Sequence, residues 1–325
     1  MLLNLPQSAE TSTSSVVSVD QLAEQARAYV RSSKAPNTVR AYQSDWRAFI
    51  GWCEEQGLSS LPAEPDTIAL YMTYMAETGH KTSTIGRRII SIGLAHKAKG
   101  YASPTSSETV KTVWRGIRNT HGVAVSPKSP VLIEDLRRMI RQTPHNLLGL
   151  RDRALLLIGF AGAFRRSELV SLYVEDVEFT REGLTITLRR SKTDQEGEGR
   201  KVGIPYGSHV ETCPVRTLQS WLQSAGIVSG PLFRRVDKAG RVGVDRLCDK
   251  TVARVVKKYI QAIGLDADEY AGHSLRAGLA TSAAMAGAPE RAIMAQTGHK
   301  SVNMVRRYIR DGNLFRENAA AYVGL

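Results

Sequence analysis

Residues 271–310 read AGHSLRAGLATSAAMAGAPERAIMAQTGHKSVNMVRRYIR. His273 and Arg276 are three residues apart at the start of an Ala-rich run that predicts helix, so an imidazole and a fixed cation share one face of its first turns. Gly287 ends that run, and Pro289 opens a second short helix that stops at Gly298. Ser301 is the expected N-cap of a third helix, which brings Arg306, Arg307 and Tyr308 to its end. Three short helices therefore hold His273, Arg276, His299 and Tyr308 within a few turns of one another.

Working outward from this stretch, residues 147–161 (LLGLRDRALLLIGFA) are apolar enough to be a buried helix, and they run directly into GAFRRSEL at 162–169. Residues 132–142, 210–226 and 245–264 also read as helices. Between 177 and 204 the period changes: LTITLR alternates, SKTDQEGEGR has turn chemistry and KVGIP alternates again. This predicts a small antiparallel hairpin with Lys192 near its tip, in a mainly α domain spanning 132–325.

Upstream, residues 18–122 predict an all-helical bundle. Ser18 and Gln21 have capping-box spacing before the first helix, and Asn37 is the expected cap of the second, which ends at Gly57. The fourth run, residues 81–99, puts Ile85, Ile89, Ile92 and Leu94 inside and leaves Lys81, Ser83, Thr84, Arg87 and Arg88 outside, while Arg40 lies on the outer side of the second helix. Cations and hydroxyls on one face suit phosphate contact. Residues 123–131 (VAVSPKSPV) have no helical period and read as an interdomain linker, and residues 1–17 as a flexible Ser/Thr-rich leader without a basic n-region.

The chain has 325 residues, 42% of them apolar, with no run of membrane-spanning length, so two soluble cytoplasmic domains with no membrane partner are expected. Its net charge of +13 points to a polyanionic partner drawn by counterion release. Cys53, Cys213 and Cys248 are widely spaced and form no CxxC, and no GxxxxGK[ST] loop occurs, so neither a metal nor a nucleotide cofactor is expected.

In this setting GAFRRSEL resembles the first arginine box of the tyrosine recombinases, the family of λ integrase, Cre and Xer. SKTDQ (191–195) resembles their β-hairpin lysine, GHSLRAG (272–278) their HxxR box, and GHKSVNMVRRYIR (298–310) their closing histidine and nucleophilic tyrosine. The resemblance implies an N-terminal core-binding, SAM-like bundle and a catalytic domain. It implies Tyr308 as nucleophile, with Arg165 and Arg276 holding the nonbridging oxygens of the scissile phosphate. Arg166 is the neighbour that complicates this choice, and Arg165 takes the role because it precedes Glu168 by three residues. His273 would accept the phenolic proton or donate to a phosphate oxygen, His299 would donate to the phosphate, and Glu168 would orient these groups. Lys192 would protonate the departing 5′ oxygen, with Lys201 a weaker substitute.

Physical chemistry supports these assignments independently. A phosphodiester under attack gathers negative charge that two guanidiniums can hold bidentately, and a phenol of pKa about 10 needs help to ionise. The resemblance further implies double-stranded DNA with a specific inverted-repeat site, a tetramer on two sites, a Holliday junction and possible accessory proteins. The tail residues Leu314, Phe315, Ala319, Ala320, Tyr322 and Val323 form a short apolar stripe expected to dock on a neighbouring protomer, the alternative being that it folds back on its own domain. The alternatives from other classes are a type IB topoisomerase-like relaxase and a catalytically silent DNA-binding regulator.

Overall fold

The first helix, α1 (Val19–Ser32), begins where its caps say it should: Gln21 N donates to Ser18 Oγ at 3.2 Å and Ser18 N donates to Gln21 Oε1 at 3.0 Å. In the computed structural model the described residues are 18–123, 127–189, 198–313, 320 and 323, without the side chains of 31, 311 and 313. Lys192 at the hairpin tip, the leader, part of the linker and all of the tail except Ala320 and Val323 lie outside them. The chain divides into two compact units, Met1–Val125 and Ser126–Leu325.

In the first unit α2 (Pro36–Gln56) starts at Pro36, whose fixed φ suits the first helical position, so Asn37 is inside the helix and not its cap. Asn37 instead accepts from Arg40 Nη2 at 2.6 Å. Gly57, at φ 69°, closes α2 in the left-handed region. Then come α3 (Pro65–Glu77), α4 (Thr82–Ala98) and α5 (Glu108–His121). Phe49, Trp52, Ile68, Tyr71, Met75, Ile85, Ile92 and Ile117 form the core between α2, α3, α4 and α5. His96 is fully buried within it: its Nε2 accepts from Ala63 N and its Nδ1 donates to Ile92 O, both at 2.9 Å, which makes it a satisfied neutral imidazole.

The second unit contains α6 (Ile133–Arg141), α7 (Leu147–Ala161) and α8 (Arg166–Ser171), followed by an antiparallel sheet. That sheet has the order β1 (Val177–Phe179), β2 (Gly183–Leu188), β3 (Arg200–Pro205). Leu188 pairs with Arg200 and Gly183 with Pro205, so the alternation of β3 puts Val202 and Ile204 in the core and Lys201 on the opposite, exposed face. After α9 (Pro214–Ser224) comes a two-stranded ribbon, β4 (Arg234–Val236) and β5 (Val242–Arg246), whose second strand overlaps the start of the helix expected at 245–264. The helix expected at 245–264 therefore begins later, as α10 (Asp249–Ala262), because the turn at Asp237 and Gly240 pairs the residues on either side of it.

The last three helices are α11 (Ser274–Met285), α12 (Glu290–Thr297) and α13 (Val302–Asn313). α7 is almost entirely buried and forms the axis of the core with Trp221, Phe233, Val256, Tyr259 and Leu275. Ala280, Ala284, Ile293 and Val305 form a smaller cluster joining α11, α12 and α13, against which Tyr308 packs. Of the segment read as linker, Ser129 N donates to Glu269 O at 2.7 Å and Val131 N to Ser274 O at 3.0 Å, so its last residues are tied to this unit. Gly278 makes that possible, since a Cβ there would lie 1.8 Å from Val131 O. The fold is mainly α with small antiparallel sheets, as the periodicities predict.

Candidate active site

α7 ends in a strained turn. Ala163 has φ 49°, a left-handed conformation rare for a residue with a Cβ, and its carbonyl accepts from Arg276 Nη1 at 2.7 Å. Two residues later Arg165 stands at the N-cap of α8, held by Glu168 at both ends: Arg165 N donates to Glu168 Oε2 at 2.9 Å and Arg165 Nη1 to Oε1 at 2.6 Å. Glu168 is buried, and with its two oxygens occupied it orients Arg165 and has no oxygen left over for a proton transfer. Arg166 points elsewhere, to Asp249 on α10 at 3.1 Å. The geometry therefore separates the two adjacent arginines.

Arg276 is fully buried, yet its Nε and Nη2 find no acceptor among the described residues. Unpaired donors inside a protein cost about 1–3 kcal/mol each, so two on one guanidinium mark a place where an oxyanion would be bound strongly. Burial, and then Arg165 and Arg200 close by, bring its pKa down to about 10, while Glu168 and Tyr308 act in the opposite direction. Arg165, Arg200 and Tyr308 thus lie near enough to Arg276 to act on its charge.

His299 follows the left-handed Gly298 that caps α12. Thr297 Oγ1 donates to Ile293 O at 2.7 Å, so it accepts from His299 Nδ1 at 2.8 Å. Nε2 of the neutral ring is then a proton acceptor. Burial first, and then Arg276, Arg165, His273 and Arg200, push the His299 pKa down to about 4. The resemblance assigned this imidazole a donor role toward phosphate, and it gains that capacity only with a second proton. The ring lies 5.9 Å from that of Tyr308, centroid to centroid, inclined by 35°.

Tyr308 is half-buried in the middle of α13, which runs on to Asn313 and does not end at Tyr308 as expected from the sequence. His273 is exposed at the N-cap of α11, unlike the buried Arg276, so one turn of helix presents a surface imidazole above an interior cation. Lys192 lies outside the described residues, and Lys201 is exposed on the outer face of β3.

Arg200 was missed by the sequence reading. The only signal was its place at the start of an alternating run, two residues before Val202, which puts it on the inner face.

Of the residues expected to meet DNA in the first unit, Arg40, Lys81, Ser83 and Arg87 are exposed and Thr84 is half-buried. The outward placement of Arg88 is corrected. Its Nη1 donates to Tyr71 Oη at 2.6 Å, and its Nε lies 3.6 Å from the buried carboxylate of Asp45. Arg87 grips that carboxylate through two bonds, at 2.7 and 3.0 Å. A carboxylate on the inner side of α2 needs a cation, and this turns Arg88 inward.

Residues 130–313, more than half of the chain, match the phage integrase family. The chain belongs to that family. Residues 26–97 match the N-terminal SAM-like domain of phage integrases. An integrase/recombinase xerD homolog of Selenomonas ruminantium is 43% identical over 304 residues, covering 92% of this chain and 89% of the homolog. Recombinase cre of Escherichia phage P1 is 26% identical over 310 residues, covering 89% and 88%. Among solved structures, the Tn1549 transposon integrase in complex with transposon right-end DNA aligns with a TM-score of 0.60 at 18% identity over 88% of this chain and 92% of that one. A lambda integrase dimer bound to a core site aligns at 0.58 and 17% over 91% and 96%. At these identities the structural likeness shows the fold. As a tyrosine site-specific recombinase, the protein is an enzyme that breaks and rejoins DNA strands.

Proposed function

We propose that this recombinase binds double-stranded DNA at a specific inverted-repeat site and cuts it with Tyr308, forming a covalent 3′-phosphotyrosine. A tetramer exchanges strands between two sites through a Holliday junction. The observation that carries this reading is the fully buried Arg276, with Nε and Nη2 unpaired among the described residues and Arg165, His299 and Tyr308 gathered about it. Two guanidiniums hold the nonbridging oxygens and stabilise the charge that builds on them. The phenol loses its proton to a neighbouring imidazole, His273 or the Nε2 of His299. Its oxygen attacks phosphorus, the P–O5′ bond breaks and the 5′ oxygen takes a proton from Lys192. The new ester keeps the energy of the broken one, so a 5′ hydroxyl from another strand reseals the backbone without a nucleotide cofactor.

In the first unit the exposed Arg40, Lys81, Ser83 and Arg87, with Thr84 beside them, supply phosphate contacts. Suicide duplexes made from the ends of the host element test the reading. The wild type is expected to become covalently attached to the DNA, and Tyr308→Phe to bind it without attachment. Attachment by the Phe variant overturns the assignment.

A further inference from the structure

Four observations converge on a residue outside the expected catalytic set. Arg200 begins β3, and its guanidinium reaches the end of α12, where Nη1 donates to Gln296 O at 3.2 Å and to Ala295 O at 3.4 Å. These are carbonyls of the last helical turn, which have no partner inside the helix and carry its negative dipole end. The guanidinium also covers Gly298: a Cβ there would lie 2.8 Å from Arg200 Nε and 2.9 Å from Cζ. A second tie runs the other way, from Gln296 Nε2 to Gly203 O on β3 at 3.1 Å and to Ala161 O at the end of α7 at 2.7 Å. Finally, Arg200 Nη2 is buried without an acceptor among the described residues, and Arg165 and Glu168 are near enough to influence the group.

We propose that Arg200 is a positioning residue of the recombination site: it clamps the last turn of α12 onto β3 and so fixes the ring of His299. The inference rests on the reading of His299 as part of that site. The turn from Gln296 to His299 has few ways to move while both ties hold. Gly298 is needed there twice, once for its φ of 66° and once because any side chain would displace the guanidinium. Arg200 also adds a cation to Arg276 on α11 and Arg165 at the start of α8, which influence the imidazole together with His273. Glu168 and Tyr308 are the groups of opposite sense around these cations. The clamp therefore holds the ring in place, and its charge helps keep Nε2 free of a proton.

A residue that only capped α12 would not govern the protonation of His299, and this difference is measurable in the DNA-free full chain. Histidine side chains labelled with 13C and 15N are titrated by NMR, with His299→Gln to identify the resonance. Wild-type His299 is expected to keep its proton on Nδ1 and titrate well below the ordinary histidine value of 6.5. Arg200→Met should move the midpoint up by at most about half a unit and mix the tautomers. Arg200→Lys keeps the charge, so it should retain most of the midpoint shift while losing the fixed tautomer. On the suicide duplex, Arg200→Met should slow attachment by between about tenfold and 100-fold while affinity stays within about twofold.

An unshifted midpoint and a single tautomer in both variants, each folded by its melting curve, overturn the proposal, as does attachment within about threefold of wild type. If Tyr308→Phe also attaches, the reading of the site has failed. If it is inert while the Arg200 variants match the wild type, only the present inference has. Should Arg200→Met not fold, the Lys variant decides alone, through its tautomer.

Discussion

Replacing Glu168 by Gln exchanges one carboxylate oxygen for an amide nitrogen and tests how the first arginine is held. The carboxylate accepts from Arg165 N through Oε2 and from Arg165 Nη1 through Oε1, and its side chain is 3% exposed. An amide offers one oxygen, so it keeps the ion contact or the cap and turns an NH2 toward the other donor. Losing the cap costs about 1 kcal/mol. Making the charge-assisted bond neutral, beside a partly buried guanidinium, costs about 1.5–3 kcal/mol. Together this is roughly 2–4 kcal/mol of the second unit's stability, a large share of a total of about 5–15 kcal/mol.

Trp221 is the one tryptophan between residues 126 and 325, so its fluorescence during urea unfolding reports that unit. Sulfate should restore part of the loss, because Glu168 is the anion among Arg165, Arg200 and Arg276, and an added anion would take over its charge. Covalent attachment to suicide DNA should slow by about tenfold or more as Arg165 loses its orientation. Unfolding free energy within about 0.5 kcal/mol of wild type, with unchanged attachment, would refute the account of Glu168 as the group that holds Arg165.

Arg276→Lys keeps the charge but cannot reproduce the fork that donates to Ala163 O and leaves Nε and Nη2 for an oxyanion. The rate of covalent attachment should fall by about 100-fold or more, measured in single turnover. A second expectation concerns acid. The folded pKa of His299 is about 4, below the ordinary value of 6.5, so the unfolded chain binds a proton that the folded chain refuses across that window. Stability of the second unit in DNA-free protein should therefore fall as pH drops from about 6.5 to about 4 and lose nothing further through this group below it. Urea midpoints across a pH series should show a shallower slope in His299→Gln, and an equal slope would exclude His299 as the source.

The two units, the helical run at 147–161 and the three closing helices were legible in the sequence because each depends on signals within one short segment. Apolar spacing, the capping box of Ser18 and Gln21, and Gly57 and Gly298 at helix ends all act locally. The errors came where a distant partner decides. Arg88 has the spacing of an outer residue and is drawn inward by Asp45 and Tyr71 on other helices. The β4–β5 ribbon is short and charged, and its ladder pairs Arg234 with Arg246 and Val236 with Val242, residues that lie 12 and 6 positions apart.

The sequence alone determined which chemical groups the site contains, because arginine, histidine and tyrosine types at set distances along the chain carry that information themselves. The tertiary structure alone decided their states. It bonds Arg165 to Glu168 while turning Arg166 to Asp249, makes Thr297 the partner of His299 Nδ1, and carries Arg200 to the last turn of α12. The pairings of Arg166 and Arg200 depend on partners far along the chain, and the state of His299 on burial among cations from other elements, none of which local order specifies.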